Sequence, residues 1–558
     1  MTVGATSGSE RFRRTAERVL DALLEESPEW ATELGDHRFD DRLTDLSPDG
    51  VARRVARLHQ ATSALDDLDD SDLDPGDRVD LEILRTAVTR EQWAAQELAG
   101  HTWDPLVHLP GEALYPLIAR DGADPPHRIA ALTARLAAVP HRLEVARSVL
   151  ADMPGVHVET AIVRTRGTET LLGAVDALAA SVVGPGRALL RARDAAADAL
   201  REHRAWLQAQ VAVSDGDPRL GPERYAAKLW YDLDSEIGPD SLLTRAESDL
   251  QAIEESIAEV ASRIAGTPAR PGQVREVLDR LAAQAPVDDT TILPLCERAL
   301  ADATARVREL DLVTVPHDPV RIIVMPPARW GVAVACCDPP GPLEPDGPAG
   351  PQPTFFAVSP TPEGWPPERI ASFYREYNGH MLRNLAVHEA MPGHMLQLAH
   401  AARHRAGTRV RRALSSGAFV EGWAVYAEEL MAGHGLGRPG GSAADDALRL
   451  QQLKMRLRST INAILDVRVH THGMSEAEAM ALMTQRGHQE EGEAAGKWRR
   501  ALLTSAQLST YYVGVLQVAA VVAALRDAWP DASDRQLHDA VLAHGSPPPR
   551  HLRSLLGV

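Results

Sequence analysis

Residues 387–394 read Val-His-Glu-Ala-Met-Pro-Gly-His. A His-Glu pair followed by a second histidine is how a helix presents two imidazoles to zinc, with a carboxylate beside them as a base. In the regular pattern the histidines are four residues apart, about 400° around the helix, so they share one face. His388 and His394 are six residues apart, about 600°, and would lie on different faces of an unbroken helix.

The Pro392-Gly393 pair offers a way to correct this spacing. Proline disfavours helical dihedral angles at Met391, and glycine can adopt a positive φ. We therefore predict a local bulge at residues 391–393 that returns His394 to the metal. The alternative is that the two histidines are unrelated and that the helix ends at Pro392.

A second segment supplies a third ligand. Residues 419–428 read Phe-Val-Glu-Gly-Trp-Ala-Val-Tyr-Ala-Glu, and Glu421 lies 27 residues after His394. The third ligand of such sites is often a glutamate on the next helix, so His388, His394 and Glu421 are the predicted zinc ligands. Three protein ligands leave one position for water, which is typical of a catalytic site, and zinc lowers the pKa of that water toward about 7.

Two more carboxylates belong to this hypothesis. Glu389 is the candidate general base, which takes a proton from water and later delivers it to the leaving group. Glu428 lies seven residues after Glu421, two helical turns on, so it shares that face and could orient a histidine ligand. The other interpretation of Glu428 is a solvated helix carboxylate.

These motifs resemble the bacterial family named domain of unknown function 885 (DUF885). Its pattern joins His-Glu-Ala-x-Pro-Gly-His-His-Leu-Gln to Glu-Gly-Trp-Ala-x-Tyr-Ala-Glu, and residues 388–397 and 421–428 are similar to these two parts. Weaker similarities at residues 27–37 and 507–514 extend the resemblance over nearly the whole chain. The resemblance implies a mainly α, multi-helical metallohydrolase fold, akin to the gluzincin-like helical zinc peptidases with a deep substrate cleft. Met395 replaces the family's usual second histidine, which puts substrate specificity in doubt more than metal binding.

The same resemblance suggests roles for three late residues. Tyr511 would donate a hydrogen bond to the oxyanion of a tetrahedral intermediate. Arg500 would bind a substrate carboxylate as a fork, and His470 would stabilise the oxyanion or orient the substrate. The alternatives are that Tyr511 caps a buried helix, that Arg500 pairs with a surface acid and that His470 is a satisfied core histidine.

Composition excludes several classes of function. The chain has 558 residues, of which 59 are basic and 78 acidic, and its formal net charge is −19. General nucleic-acid binding needs a basic surface, and docking on an anionic membrane is likewise disfavoured. The longest apolar run, residues 513–525, contains Gln517 and is too short to span a bilayer, so we expect a buried helix there.

Cysteine usage and the N-terminus favour the cytoplasm. The chain has only three cysteines, Cys296, Cys336 and Cys337. They are too few for a disulfide framework, and adjacent cysteines do not have the spacing of zinc ligands. Residues 1–14 are small, polar or charged, with no apolar signal segment after them.

The organisation along the chain is helical with one interruption. Amphipathic or Ala/Leu/Arg-rich patterns predict helices over residues 9–100, 126–210 and 240–311. Short β-branched or aromatic runs at 321–325, 331–335 and 354–358 predict a small, mostly antiparallel sheet just before the metal-binding helix. We therefore divide the chain into an N-terminal helical region, residues 1–311, and a catalytic region, residues 312–558.

The leading hypothesis is a metallohydrolase that cleaves an amide or peptide bond, with one Zn²⁺ per chain and a small peptide or metabolite amide as substrate. Another divalent metal, such as manganese or cobalt, would suit the same ligands. One alternative is a metal-dependent tailoring enzyme that acts on a non-peptide bond of a small metabolite. The other is a non-catalytic, metal-stabilised binding protein, although such a protein does not need Glu389 as a base. The sequence does not indicate an oligomeric state.

Overall fold

The computed structural model describes residues 8–120, 124–180, 186–325, 334–345, 352–361, 364–435 and 445–558. The chain forms two compact units. Unit 1 comprises Met1–Pro218, Pro340–Gln352 and Arg405–Leu414, and unit 2 comprises Arg219–Pro339, Pro353–His404 and Ser415–Val558. Most of the described residues are helical, so the predicted mainly α class is confirmed.

The helices of unit 1 fall in the predicted helical regions to within one residue, except for Gly111–Ala119 and the short Val410–Ala413, which lie outside them. They are α1 (Gly8–Glu26), α2 (Pro28–Leu34), α3 (Pro48–Asp66), α4 (Pro75–Trp93), α5 (Gly111–Ala119), α6 (Pro125–Val149), α7 (Gly155–Leu171), α8 (Val175–Ala180) and α9 (Gly186–Gln210). A core between α5, α6 and α9 buries Leu114, Leu132, Leu143 and Leu200 completely. Apolar residues recur at helical spacing along these helices, which is why one face of each is removed from water.

Unit 2 contains a small sheet and a second set of helices. They are α10 (Pro222–Leu233), α11 (Pro239–Ala265), α12 (Gln273–Gln284), α13 (Ile292–Glu309), α14 (Pro367–Glu376), α15 (Gly379–Glu389), α16 (His394–Arg403), α18 (Gly417–His434), α19 (Asp446–His472), α20 (Glu476–Ala481), α21 (Glu491–Leu503), α22 (Thr510–Ala528), α23 (Asp534–Leu542) and α24 (Pro549–Leu556). The short helix α17 (Val410–Ala413) belongs to unit 1.

The boundary between the units differs from the predicted one at residue 311. Helices α10 to α13 lie in unit 2 together with the predicted metal ligands. The reason is a shared core, in which Leu229, Leu250 and Val277 pack in one cluster with Leu457 and Ile464 of α19. Such packing joins segments that are distant in sequence, and a pattern read along the chain does not reveal it.

Within the described residues the sheet has three strands in the order β1-β3-β2, namely β1 (Val320–Val324), β2 (Ala335–Asp338) and β3 (Thr354–Val358). The prediction of a mostly antiparallel sheet is corrected, because β1 runs parallel to β3 and only β2 is antiparallel to it. A parallel pair needs a connection of a dozen or more residues, and the chain between β1 and β3 is long enough. The predicted strand at 331–335 falls largely outside the described residues.

The apolar run at 513–525 lies within α22, which is long and apolar enough to cross a membrane by length and composition alone. Its residues contribute to two cores of unit 2. Tyr512 and Val513 pack in one cluster, and Val518 and Leu525 pack in another. The expected helix is therefore present, and packing buries its valines and Leu525, whereas Ala520 and Ala523 are exposed.

Candidate metal centre

The first predicted ligand lies at the end of α15. This helix begins where the Asn378 side chain accepts hydrogen bonds from the backbone N–H groups of His380, at 3.1 Å, and Met381, at 3.3 Å. Such a cap satisfies donors that have no partner inside the helix. The helix ends at Glu389, so His388 and Glu389 occupy its last turn.

Residues 390–393 form a break between α15 and α16 that realises the predicted bulge. The N–H of Met391 donates to the Ala386 carbonyl at 3.1 Å, and the N–H of Gly393 donates to the Val387 carbonyl at 3.0 Å. These bonds span five and six residues instead of four, so the turn is wider than in an α-helix. His394 starts the next helix and thereby returns to the side of His388.

Glycine is required at position 393 because a Cβ would clash with the backbone, and not because φ is positive. Its φ is −74°, so the expected use of glycine's left-handed conformation is corrected. A Cβ at this position would lie 1.9 Å from the His388 carbonyl oxygen and 2.4 Å from that of Val387. The indole N–H of Trp423 holds the same turn from α18 by donating to the Pro392 carbonyl at 2.8 Å.

The three predicted ligands converge. The ligand atoms of His388, His394 and Glu421 all lie within 4.8 Å of one another. Glu421 Oε2 is 3.6 Å from His388 Nε2 and 3.4 Å from His394 Nε2. With metal–ligand bonds of about 2.0–2.1 Å, a tetrahedral site has ligand–ligand separations of roughly 3.4 Å, which fits these distances.

A buried atom without a partner supports the same interpretation. Glu421 Oε2 is buried, and no donor among the described residues gives it a hydrogen bond. A buried carboxylate oxygen is rarely left unpaired, because the loss of hydration is costly. The atom faces two imidazole nitrogens at distances suited to a shared ion, so these residues fit a divalent metal.

The pKa values of Glu421 and His388 are shifted because the candidate ligands lie close together. Burial opposes ionisation of Glu421, but the positive charges of His394 and His388 outweigh it and hold the pKa of Glu421 well below its usual range. Burial lowers the pKa of His388, but Glu421 and Glu428 outweigh that effect and raise the pKa well above its usual value. An anionic carboxylate is therefore available beside both imidazoles.

Glu428 lies where the sequence predicted an orienting carboxylate. It is 2% exposed, and its Oε1 is 2.7 Å from His388 Nδ1. Its other oxygen accepts a hydrogen bond from Asn384 Nδ2 at 2.7 Å. Bonding at Nδ1 leaves the Nε2 lone pair of His388 for the metal. Sequence reasoning missed Asn384, although its position one turn before His388 was a usable signal.

We expect Glu428→Gln to weaken zinc binding by about 10- to 100-fold, because a neutral amide orients the imidazole without enhancing its basicity. The measurement is a competition titration of zinc against a chelator of known affinity. Glu429→Gln, which changes an exposed carboxylate on the same helix, is the matched control and should bind zinc like wild type. Equal zinc affinity of the Glu428→Gln variant and wild type would contradict the orienting role.

A backbone hydrogen bond from strand β2 holds the carboxylate of the candidate base, Glu389. The backbone N–H of Cys337, in β2, donates to Glu389 Oε2 at 2.9 Å, and the Glu389 side chain is largely buried. Burial raises the pKa of Glu389 above its usual value, although the positive charges of His388 and His394 oppose the rise. A raised pKa moves a carboxylate toward the range that suits a general base. The contact with Cys337 had no sequence signal, since it uses the backbone.

Two glycines bring α18 and α22 into close contact. A Cβ on Gly422 would lie 2.3 Å from the carbonyl carbon of Gly514, and a Cβ on Gly514 would lie 2.1 Å from the Ala418 carbonyl oxygen. Gly422 follows Glu421 directly, and Gly514 is three residues after Tyr511. The close approach therefore brings Tyr511 toward the metal ligands.

Tyr511 and Arg500 lie beside each other near these ligands. Burial, followed by the negative charge of Glu421, raises the pKa of Tyr511, and the charge of Arg500 opposes the rise. Arg500 Nη2 is 3.4 Å from Tyr511 Oη and donates to Gln507 Oε1 at 2.7 Å. The surface acid suggested as an alternative partner of Arg500 is not found among the described residues.

His470 does not join the candidate centre. Its Nδ1 accepts a hydrogen bond from the Leu220 N–H at 3.3 Å, and its Nε2 lies 2.9 Å from the Thr504 carbonyl. The ring also stacks on Tyr225, with centroids 5.4 Å apart. Both nitrogens contact the backbone, so His470 lies outside the candidate centre, in the arrangement that the alternative of a satisfied core histidine predicts.

Asp466 organises the start of α22, a role that sequence reasoning did not assign. Its carboxylate accepts hydrogen bonds from the N–H groups of Ala506, at 3.1 Å, and Ser509, at 3.0 Å, and from Ser509 Oγ at 2.7 Å. Ser509 is the residue before α22. This network fixes the turn that precedes Tyr511.

Comparisons with known proteins agree with the motifs. The family model described as "Bacterial protein of unknown function (DUF885)" matches residues 28–556. A structure from Shewanella oneidensis, provisionally named a lipoprotein of unknown function, is 25% identical, with a TM-score of 0.82 over 98% of this chain and 100% of that one. One from Colwellia psychrerythraea, also provisionally named a lipoprotein, is 15% identical, with a TM-score of 0.80 over 99% of each chain, and shows the fold alone. A search of curated proteins finds no match. The chain belongs to the DUF885 family of bacterial proteins of unknown function.

Proposed function

We propose that this protein is a zinc-dependent hydrolase that cleaves an amide or peptide bond of a small peptide or metabolite amide. The observation that carries the proposal is the buried Oε2 of Glu421, which has no hydrogen-bond partner among the described residues and faces the Nε2 atoms of His388 and His394 at 3.6 and 3.4 Å. A site with two histidines and one glutamate is a catalytic donor set, because it leaves a position open.

Zinc held by these three residues supplies a Lewis acid that polarises a carbonyl and acidifies water. Glu389 takes a proton from water and returns it to the leaving amine. Its Oε2 is held by the N–H of Cys337, which leaves Oε1 for the proton. Tyr511, whose hydroxyl lies 3.4 Å from Arg500 Nη2, donates a hydrogen bond to the oxygen that becomes negative.

Strand β2 is placed to bind an extended substrate along its edge. It lies at the edge of the sheet order β1-β3-β2, and the N–H of Cys337 faces the Glu389 carboxylate. A substrate laid along this strand would have its main chain next to the candidate base. The proposal also includes two features of the helical zinc peptidases: a related fold and a deep substrate cleft.

The cellular location is a separate proposal. Cysteine usage favours the cytoplasm, whereas the names of the two solved structures, provisional lipoproteins, suggest a location outside it. Cell fractionation of the source bacterium distinguishes the two locations. The predicted absence of membrane and nucleic-acid partners also stays a prediction.

The test is the metal content of the purified protein beside His388→Ala and Glu421→Ala. We expect about one zinc per wild-type chain and none in either variant, because each variant removes one of three ligands. The matched controls are His400→Ala, on the same helix as His394, and Glu429→Ala, on the same helix as Glu421, and both should keep zinc. A wild-type protein that takes up no zinc even when it is offered would remove the basis of the proposal.

Zinc-loaded protein is then screened against short peptides and N-acyl amides. Turnover that disappears with the zinc supports the hydrolase. Stoichiometric zinc without turnover of any amide would contradict it and favour a tailoring enzyme acting on a non-peptide bond.

A further inference from the structure

A group of basic side chains lies beside Tyr511. Lys497 and Arg500 are three residues apart on α21, so they share a helix face, and Arg458 projects from α19. We call Arg458, Lys497 and Arg500 the cationic cluster. After burial, the charges of Arg458 and Arg500 lower the pKa of Lys497 most, which reflects how near the three cations are.

Lys497 is the unusual member of the cluster. The residue is 6% exposed, and no hydrogen-bond or ion-pair partner for its amine occurs within the described part of the chain. Only three of the 59 basic residues are lysines. An amine with little access to water and no internal partner is unfavourable in its charged form, and an anion bound beside it would stabilise that form.

The neighbouring carboxylates are already engaged. Glu493 pairs with Arg458 and accepts a hydrogen bond from Tyr377 Oη at 3.4 Å. Glu376 pairs with Lys454 at 2.9 Å.

Arg500 bonds only to neutral groups among the described residues, the Gln507 amide and the Tyr511 hydroxyl. No carboxylate of the described residues forms an ion pair with Lys497 or Arg500, although the negative charge of Glu376 acts on Lys497. An anion bound between Lys497 and Arg500 would accept hydrogen bonds from the ammonium of Lys497 and from the guanidinium fork of Arg500.

The cluster is adjacent to the candidate metal centre. Arg500 Nη2 is 3.4 Å from Tyr511 Oη, and Tyr511 is close enough to Glu421 for that charge to affect its hydroxyl. An anion bound at Arg500 would therefore lie beside Tyr511, the residue proposed to hold the oxyanion.

We propose that Lys497 and Arg500 bind a carboxylate of the substrate close to the amide bond that is cleaved. The inference rests on the proposed function and names the substrate class: peptides or N-acyl amino acids with a free carboxylate near the scissile bond. That carboxylate comes either from the C-terminus or from an acidic side chain, and the probes below separate these sources.

The experiment uses full-length protein stripped of metal with a chelator, so that a carboxylate cannot bind to zinc. The probes are N-acetylphenylalanine, which has only an α-carboxylate, N-acetylglutamate α-amide, which has only a side-chain carboxylate, and N-acetylphenylalanine amide, which has neither. Calorimetry measures each dissociation constant. We expect one of the carboxylates to bind at least about tenfold more tightly than the neutral amide.

The variants are Lys497→Met and Arg500→Gln, with Arg499→Gln as the control for removal of a charge from the same helix. We expect the preference for the carboxylate to disappear in the first two and to persist in the control. Lys497→Met removes an unpaired buried charge and should fold. Lys497→Arg keeps the charge and should retain part of the preference. Equal binding of all three probes to wild type, or a preference that survives in both Lys497→Met and Arg500→Gln, overturns the inference.

A second measurement separates this inference from the proposed function. Zinc-loaded protein is assayed on the same peptide with a free and an amidated C-terminus. Carboxylate binding to the metal-free protein without hydrolysis of either peptide supports the carboxylate site and contradicts the hydrolase. Equal hydrolysis of both peptides, together with no carboxylate preference in the binding experiment, supports the hydrolase and overturns the carboxylate site.

Discussion

Glu389→Gln is expected to bind zinc as wild type does and to turn over substrate about 100- to 10,000-fold more slowly. The amide has nearly the same shape as the carboxylate and can still accept the hydrogen bond from the Cys337 N–H. It cannot accept a proton from water. The three ligand atoms belong to other residues, so the metal site stays intact.

The measurement pairs kcat with zinc stoichiometry on the same preparation. Glu429→Gln, an exposed change on α18, is the control and should keep the wild-type kcat. A Glu389→Gln variant that keeps both its zinc and its kcat would refute Glu389 as the base while leaving the metal centre in place. Loss of zinc in that variant would instead show that Glu389 helps to hold the metal.

Gly422→Ala is expected to lower the free energy of unfolding by about 1–3 kcal/mol, because the added methyl group overpacks a tight helix contact. Its Cβ would meet the backbone of Gly514 at 2.3 Å, and backbone atoms cannot move aside as a side chain can. Separation of α18 from α22 would also draw Tyr511 away from Glu421, so turnover should fall as well.

The matched control is Gly433→Ala on the same helix, where an added Cβ meets nothing within 4 Å. There alanine should stabilise the helix by at most about 1 kcal/mol, since glycine has the lower helix propensity. Denaturant unfolding of the two variants and wild type gives the comparison. If the two substitutions changed stability equally, the close contact between the helices would not be the cause.

The sequence indicated the candidate metal ligands because their signal is local. His388, Glu389 and His394 lie within seven residues. The Pro392-Gly393 pair between Glu389 and His394 predicted that the helix breaks there. The bonds that widen this turn connect residues five and six apart, so local sterics account for them. Glu421 and Glu428 were placed on one face by helical periodicity alone.

The sequence by itself thus determined the helical class, the break before His394 and the residues with metal-binding chemistry. Only the tertiary structure decided that His470 is occupied by backbone groups, that β1 runs parallel to β3 and that α10 to α13 lie in unit 2. It alone showed Lys497 buried without a partner among the described residues. The physical reason is range: helix propensity, proline sterics and periodicity act between near neighbours, whereas partners of buried polar groups come from segments that meet only on folding.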